Sequence, residues 1–296
     1  MLLVKRGDLF TLLAWQRLFP PEVMCRQPAV KLAIAWGLAL AVRVDDALQI
    51  LDEIEHDLDV LYSVDRDLLT CEFQAIRSVA LSLKDEGRVA LPLAEQCLSK
   101  STDPWTANVA SNVVRYWRCK TGDLARFYAT PWIPYSLDDD ARNVFASVYR
   151  RCIQGIAEAQ QLRLSAAERH YTDALQLAEQ HVGPNSVAAA LPASLISRIR
   201  YEQGRAEEAE TMLVDRLAFV SEGAMLECVL SAYFTMVRVA TLRMNFDRAQ
   251  TLLERAENPR QSTRLGPPLR RRSDGARMAS SEGRPNQRSR RGSQAS

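Results

Sequence analysis

Side chains that commonly perform catalysis or bind metal ions are few and scattered in this sequence. The three histidines, His56, His170 and His181, have no Ser or Cys nearby in an arrangement typical of a catalytic triad. The six cysteines lie far apart without a C-x-x-C pair, which argues against a structural zinc site or a disulfide framework. The acidic run at 138–140 is accounted for by the favourable interaction of carboxylates with a helix N-terminus. We therefore predict a protein that is not an enzyme and that uses no metal ion and no cofactor.

Side chains suited to binding are better represented, since five Trp and eight Tyr are spread along an Arg-rich chain. Aromatic faces and guanidinium groups together suit a sugar, a carboxylate-bearing effector or an acidic peptide. The same side chains also serve as core packing and as partners of neighbouring acids. The choice between these interpretations depends on the elements that carry them.

The apolar residues recur at helical spacing up to Ala256, and no alternating strand pattern of any length is present. Within this helical pattern, alanines follow comparable turns at intervals of 43, 35, 42, 42 and 40 residues. These anchor alanines are Ala47, Ala90, Ala125, Ala167, Ala209 and Ala249. A period near 40 predicts an all-α fold, a right-handed superhelix of about six tetratricopeptide-like helical hairpins.

Two further sets of residues follow from the anchor alanines. Twelve residues before them, mostly small side chains would let the two helices of a hairpin approach closely: Ala35, Ser78, Val113, Gly155, Ser197 and Val237. Four residues after them, apolar side chains would pack on the next hairpin: Leu51, Ala94, Ala129, Tyr171, Leu213 and Leu253.

The inner, concave face of a tetratricopeptide array is formed by the first helix of each hairpin. Counting back from the anchor alanines places Trp117, Arg118, Arg198, Tyr201 and Arg238 on that face. We predict that they line a groove that binds a small-molecule effector or a partner protein. The alternative, that they only pack or pair with neighbouring acids, stays open.

Two segments resemble the helical-repeat region of MalT-type regulators, the large ATP-dependent members of the LuxR class. They are residues 9–55, which include KLAIAWGLALAVRVDDALQILDEIE, and residues 167–217, which include GPNSVAAALPASLISRIRYEQGRAEEAE. The likeness extends over about residues 5–257, and it is carried by the order and spacing of these short motifs.

The resemblance implies a sensing function, because the helical superhelix of such regulators detects an inducer or an inhibitory partner. Their other parts are an N-terminal nucleotide-binding switch and a C-terminal helix-turn-helix. This sequence has no G-x-x-x-x-G-K-[ST] motif and no helix-turn-helix pattern after Ala256. We therefore expect a truncated regulator that does not bind DNA directly. The alternative is a stand-alone tetratricopeptide-like adaptor that bridges proteins.

The charge is unevenly distributed around a formal total of +2. Residues 258–296 contain ten Arg against Asp274 and Glu282, so the helical-repeat domain at 1–257 is mildly acidic. The tail lacks apolar periodicity and is predicted to be disordered. Three interpretations of it stay open: an arm that contacts nucleic acid, a solvated tail, and a translation product of a shifted reading frame.

Two predictions concern the surroundings of the protein. The N-terminus has no signal-peptide pattern, and the longest apolar run, 32–42, is too short to span a bilayer, which predicts a cytoplasmic protein without membrane contact. No polar capping helix follows the last hairpin, so we expect the chain to self-associate through partly uncovered apolar side chains there. The residues concerned are Phe234, Met236, Leu252 and Leu253.

Overall fold

The computed structural model describes residue 14 and residues 28–41, 43–58, 65–131 and 143–257. These residues form thirteen α-helices, all within the first of the two units into which the chain divides, Met1–Arg264 and Leu265–Ser296. The helices are α1 Pro28–Leu40, α2 Val44–Leu58, α3 Asp65–Leu83, α4 Gly87–Lys100, α5 Pro104–Lys120, α6 Leu124–Ala129, α7 Val144–Gln160, α8 Leu164–His181, α9 Val187–Glu202, α10 Ala206–Leu213, α11 Leu217–Gly223, α12 Leu226–Leu242 and α13 Phe246–Glu257. The predicted tail, 258–296, and the acidic run, 138–140, lie outside the described residues.

Twelve of the described helices form six consecutive hairpins, which confirms the predicted all-α helical-repeat fold. The hairpins are α1–α2, α3–α4, α5–α6, α7–α8, α9–α10 and α12–α13. Their first helices pack against one another in order, and α2, α4, α8 and α10 also pack against the first helix of the next hairpin. The one described helix outside these hairpins, α11, was not predicted. It lies between the fifth and sixth hairpins and packs on α9 and α12.

The fourth residue of each second helix is buried in all six hairpins, and we call it the anchor residue. It is Ala47, Ala90, Phe127, Ala167, Ala209 and Ala249. Five of these were predicted, but in the third hairpin Ala125 is exposed and Phe127 is the buried residue. The prediction was wrong by two residues because it followed the residue type rather than the start of α6. The corrected intervals, 43, 37, 40, 42 and 40 residues, are closer to a constant period than the predicted ones.

The predicted close approach of paired helices is present at Gly155 of α7. A Cβ added there would lie less than 3.0 Å from three atoms of the Tyr171 ring on α8. In the third hairpin the two helices pack through large side chains instead. The Arg115 guanidinium stacks on the Phe127 ring, 4.1 Å from its centroid, and burial lowers the pKa of Arg115 to about 10.

The turn between the two helices of a hairpin is the same in the five hairpins where it is fully described. Its second residue has a positive φ, and the next N–H donates to the carbonyl five residues back, for example Arg163 to Glu158 at 3.0 Å. This is the Schellman motif that ends a helix. The positive-φ residues are Asp85, Gly122, Leu162, Gly204 and Met244, spaced by 37, 40, 42 and 40 residues.

The residues predicted to pack on the next hairpin behave as expected at Leu51, Ala94, Tyr171 and Leu213, which are all buried. Ala129 is exposed, as a consequence of the two-residue shift in the third hairpin.

The last hairpin is partly uncovered, as predicted, at Phe234 (47% exposed) and Leu253 (42%). Met236 and Leu252 are buried, so the prediction for these two was wrong. The physical reason is helical direction, since Leu252 and Leu253 point about 100° apart and Phe234 and Met236 about 200° apart, so that one residue of each pair can face inward.

Candidate functional site: a pocket between the first helices

One pocket lies between the first helices of four consecutive hairpins, α1, α3, α5 and α7, and the N-terminal end of α12. Helix α5 contributes a single face, with lining residues at 105, 109, 112, 113 and 116. This i, i+3/i+4 spacing puts the side chains on one side of a helix, so the regular helix alone aligns them along the pocket.

The lining of the pocket is apolar and aromatic. Five of its sixteen residues are aromatic, and none is charged. The cavity volume is about 70 Å³, which is room for several water molecules. The lining residues are Trp36, Leu40, Val79, Ser82, Leu83, Trp105, Val109, Asn112, Val113, Tyr116, Phe145, Ala146, Tyr149, Ile153, Met225 and Leu226.

Two pairs of aromatic rings in the wall contact each other, one edge-to-face and one tilted. The rings of Trp36 and Trp105 lie 5.9 Å apart at 65°, and those of Phe145 and Tyr149 lie 5.1 Å apart at 46°. The indole N–H of Trp36 donates to the Glu72 carboxylate at 3.0 Å, which fixes the orientation of that ring. The pocket is therefore shaped by side chains with few rotational choices.

The polar groups in the wall make hydrogen bonds within the protein. The Ser82 hydroxyl accepts from the Trp117 indole N–H at 2.8 Å, and the Asn112 amide donates to the Ala146 carbonyl at 2.9 Å. Each can form one further hydrogen bond: the Ser82 hydroxyl can donate one, and the Asn112 side-chain oxygen can accept one. The wall thus offers a ligand isolated hydrogen bonds rather than a network.

A polar contact joins the third and sixth hairpins across one side of the pocket. The Tyr116 hydroxyl of α5 donates to the Glu227 carboxylate of α12 at 2.7 Å, and Lys120 Nζ lies 3.9 Å from the same carboxylate. Burial and the nearby Glu227 carboxylate raise the pKa of Tyr116, which keeps its hydroxyl a neutral donor. In a repeat array each hairpin ordinarily contacts only its neighbours, so this contact, the Tyr116–Glu227 clasp, narrows the groove locally.

Among the predicted site residues, Trp117 and Arg118 have structural contacts. Trp117 is buried on the side of α5 that faces Gly87, and Arg118 pairs with Glu95 and with Asp123. The residue of α5 that faces the pocket is Tyr116. Tyr116 was not predicted, because the count for the third hairpin began from Ala125 instead of the anchor residue Phe127.

The corrected register shows which first-helix position faces inward. Eleven residues before the anchor residues lie Trp36, Val79, Tyr116, Ile156, Arg198 and Arg238. The first three line the pocket. The last two, Arg198 and Arg238, are among the predicted site residues. The same repeat position is therefore apolar or aromatic in the first three hairpins and basic in the fifth and sixth.

The predicted residues of the fifth and sixth hairpins form a separate, solvent-facing group. The Arg238 guanidinium lies 5.8 Å from the centroid of the Tyr201 ring and pairs with Glu202 at 2.8 Å. Arg198 is exposed on the same helix as Tyr201. The structure therefore brings these three together and leaves Trp117 and Arg118 apart from them, while a binding role for all five stays a prediction.

The described cysteines and histidines form no cluster. Within the described residues no group of three His, Cys, Asp or Glu side chains could hold a metal ion. The five described thiols are unpaired by disulfides and buried, and burial raises the pKa of Cys97 and of Cys119 to about 12. Such thiols are protonated at neutral pH and act as small apolar side chains. No described helix has the length and hydropathy needed to cross a bilayer.

The stacked hairpins define this protein as a tetratricopeptide-like helical-repeat domain. The family described as the MalT-like TPR region matches residues 72–290, which is most of the chain, and the chain belongs to that family. The match confirms the MalT-type resemblance of the sequence.

Similarity to curated proteins extends over much of the chain as well. Proteins named serine/threonine-protein kinase PknK, from two strains of Mycobacterium tuberculosis and one of Mycobacterium bovis, are each 26% identical over 243 residues. The aligned region is 80% of this chain, which spans only 22% of the length of these relatives. Among solved structures, the crystal structure of BtubC (BKLC) from P. vanneervenii matches with a TM-score of 0.46 and 17% identity, covering 82% of this chain and 98% of that one.

Proposed function

We propose that the chain is a non-catalytic sensor domain of a MalT-type, LuxR-class transcriptional regulator and that its inner face binds a small effector. The observation that carries the proposal is the pocket between the first helices. Protein interiors are packed to the density of organic crystals, and a stack of hairpins gains stability by filling the spaces between them. A pocket that remains open along the stack, and is lined by oriented aromatic rings, supports a binding role.

The position of the pocket also suits a sensor. Its lining runs from Trp36 in the first hairpin to Leu226 in the sixth, so a ligand contacts hairpins that are far apart in sequence. A ligand that prefers one arrangement of these hairpins stabilises it by its difference in affinity. Binding would thereby be passed to any domain attached to the array. A cytoplasmic location remains a prediction from the sequence.

A thermal-shift screen with a broad metabolite panel tests the proposal. The pocket is filled in Val79→Phe, and the matched control is Val89→Phe, an exposed position on α4 outside the lining. At about 100 times its dissociation constant a ligand stabilises the folded state by roughly 2.7 kcal/mol, which raises the Tm by several degrees. We expect at least one such ligand for the wild type and Val89→Phe but not for Val79→Phe. The absence of any stabilising ligand, or turnover of the bound one, would contradict the proposal.

A second function, that of a protein–protein adaptor, is favoured by the solvent-facing group of Arg198, Tyr201 and Arg238. Guanidinium groups beside an aromatic ring suit an acidic peptide. An acidic peptide such as oligoglutamate would then bind the wild type, and Arg198→Ala/Arg238→Ala would weaken that binding. Equal binding by the double variant would exclude this group as the docking surface.

A further inference from the structure

The volume of the pocket limits the size of its ligand. The cavity volume is small, at about 70 Å³, so the buried part of a ligand is small as well. The pocket is also partly open to solvent, so we expect the wall to enclose about one ring of a ligand.

The wall of the pocket disfavours an anionic ligand. No lining residue carries a charge, and the basic residues that share the inward repeat position, Arg198 and Arg238, are not among the lining residues. A carboxylate placed among Trp36, Trp105 and Phe145 would lose its hydration without gaining a positively charged partner, which weakens its binding. The guanidinium groups that the sequence predicted to bind a ligand therefore do not line this pocket.

The wall also disfavours a ligand with many hydroxyl groups. The polar atoms of Ser82, Asn112 and Tyr116 already bond to Trp117, Ala146 and Glu227, respectively. A polyol would leave most of its hydroxyls unpaired, and each unpaired buried hydroxyl weakens binding. One further hydrogen bond, to Ser82, Asn112 or the oxygen of Tyr116, remains within the capacity of these groups.

We infer that the pocket takes an uncharged ligand built on a single aromatic ring with one hydrogen-bonding group, as in a simple phenol. This inference rests on the proposed function, since it names the ligand class of the same pocket. The aromatic faces of the wall offer an added ring a preferred geometry, with its edge against the face of an indole or phenyl group, as Trp36 and Trp105 already contact each other. The single hydrogen-bonding group of the ligand then bonds to Ser82, Asn112 or the oxygen of Tyr116.

Three probes of similar size test the ligand class: p-cresol, its charged relative 4-hydroxybenzoate, and glucose. A ligand of p-cresol's size in a partly open apolar site is expected to have a Kd of about 1 mM. The loss of hydration without a partner should make 4-hydroxybenzoate at least about tenfold weaker, and glucose should not bind measurably. Isothermal titration calorimetry and saturation-transfer NMR on the full chain provide the measurements.

Substitutions that fill the pocket test the location. Val79→Phe on α3 and Val109→Phe on α5 place a larger side chain in the pocket from two different helices. If one variant does not fold, the other still tests the location of the site. Each should weaken p-cresol binding by about tenfold or more, whereas Val89→Phe should leave it within about twofold of the wild type. Unchanged p-cresol binding in folded Val79→Phe and Val109→Phe would overturn the inference.

The outcomes separate the ligand class from the proposed function. If glucose or 4-hydroxybenzoate binds more tightly than p-cresol and Val79→Phe removes that binding, the class is wrong and the sensor function stands. If none of the three probes binds at millimolar concentration, the class is also wrong, and the broad metabolite panel decides the function separately. If p-cresol binds as expected, both are supported.

Discussion

Gly155 of α7 shows how a single residue type determines the spacing of a hairpin. A Cβ at this position would overlap the ring of Tyr171, which is itself buried. We expect Gly155→Ala to lower the free energy of unfolding by about 1–3 kcal/mol, because a well-packed core cannot absorb the added methyl without shifting. Urea denaturation followed by circular dichroism measures the change.

A double-mutant cycle shows whether the overlap with Tyr171 is the cause. Tyr171→Val removes the ring and leaves a cavity, so it destabilises the protein by itself. On that background Gly155→Ala should cost much less than in the wild type. An equal cost on both backgrounds would mean that the ring of Tyr171 is not what opposes the added methyl group.

Only some of the individual residues of the candidate site were predicted from the sequence. Arg198 and Arg238 do occupy the inward repeat position, because their hairpins keep an alanine as the anchor residue. In the third hairpin the anchor residue is Phe127, and a search for small residues could not find it. Counting eleven residues back from Ala125 gives Val114, whereas the same count from Phe127 gives Tyr116, so the error of two residues hid the residue that faces the pocket.

The turn within each hairpin is the clearest repeated element, and it leads to a prediction about stability. Leu162 has a φ of 61° and is 85% exposed, so its side chain contributes little packing while its backbone is strained. Replacement by Gly removes the strain, and we expect Leu162→Gly to raise the free energy of unfolding by about 0.5–1 kcal/mol. The measurement is chemical denaturation at constant pH.

The matched control uses a turn that already has glycine. Gly204 has a φ of 77°, and no atom lies within 4 Å of a Cβ added there, so Gly204→Ala tests the backbone alone. It should lower the free energy of unfolding by about 1 kcal/mol. If Leu162→Gly destabilised the protein, the backbone strain at this turn would be smaller than the entropy that glycine gains in the unfolded chain.

The elements themselves were largely predictable, but the turns and α11 were not. Helical periodicity and a period near 40 residues identify six hairpins, since amphipathic helices of similar length must repeat at a similar interval. The Schellman turns escape detection because only two of the five positive-φ residues are Gly. Helix α11 is a seven-residue helix that lies within an ordinary 40-residue interval, from Ala209 to Ala249, so the period does not reveal it, and it is recognisable only from its packing on α9 and α12.

At the scale of the whole array, the Tyr116–Glu227 clasp should hold the third and sixth hairpins together. Glu227→Ala leaves the half-buried Tyr116 hydroxyl without its acceptor and removes a partner of Lys120. We expect amide hydrogen exchange at the start of α12 to increase by about tenfold or more, because a hydrogen bond to a charged group contributes roughly 1.5–3 kcal/mol.

A pair that is well exposed provides the comparison for the clasp. Glu202 and Arg238 form an ion pair whose side chains are both more than half exposed, and Glu202→Ala should change exchange and stability very little. If Glu227→Ala had the same small effect, the clasp would be a solvent-screened contact without influence on the pocket.

The exposed apolar face of the last hairpin concerns the assembly of the whole molecule. Phe234 lies fifteen residues before its anchor residue, and the equivalent residues of the other five hairpins, Leu32, Ala75, Asn112, Cys152 and Ser194, are all buried. Leu253 is likewise exposed at a position where Leu51 and Leu213 are buried. The other hairpins therefore cover this face with a following hairpin, and here a second copy of the chain could supply the cover.

We expect the full chain to dimerise through this face, with a sedimentation coefficient that rises with protein concentration. Phe234→Lys/Leu253→Lys places two charges on the face and should keep the chain monomeric, because an unpaired charge is costly to bury. Leu164→Lys, at a similarly exposed residue of the fourth hairpin, should dimerise like the wild type. A wild-type chain that stays monomeric throughout the concentration series, or a double variant that associates equally well, would show that the face does not bind a second copy.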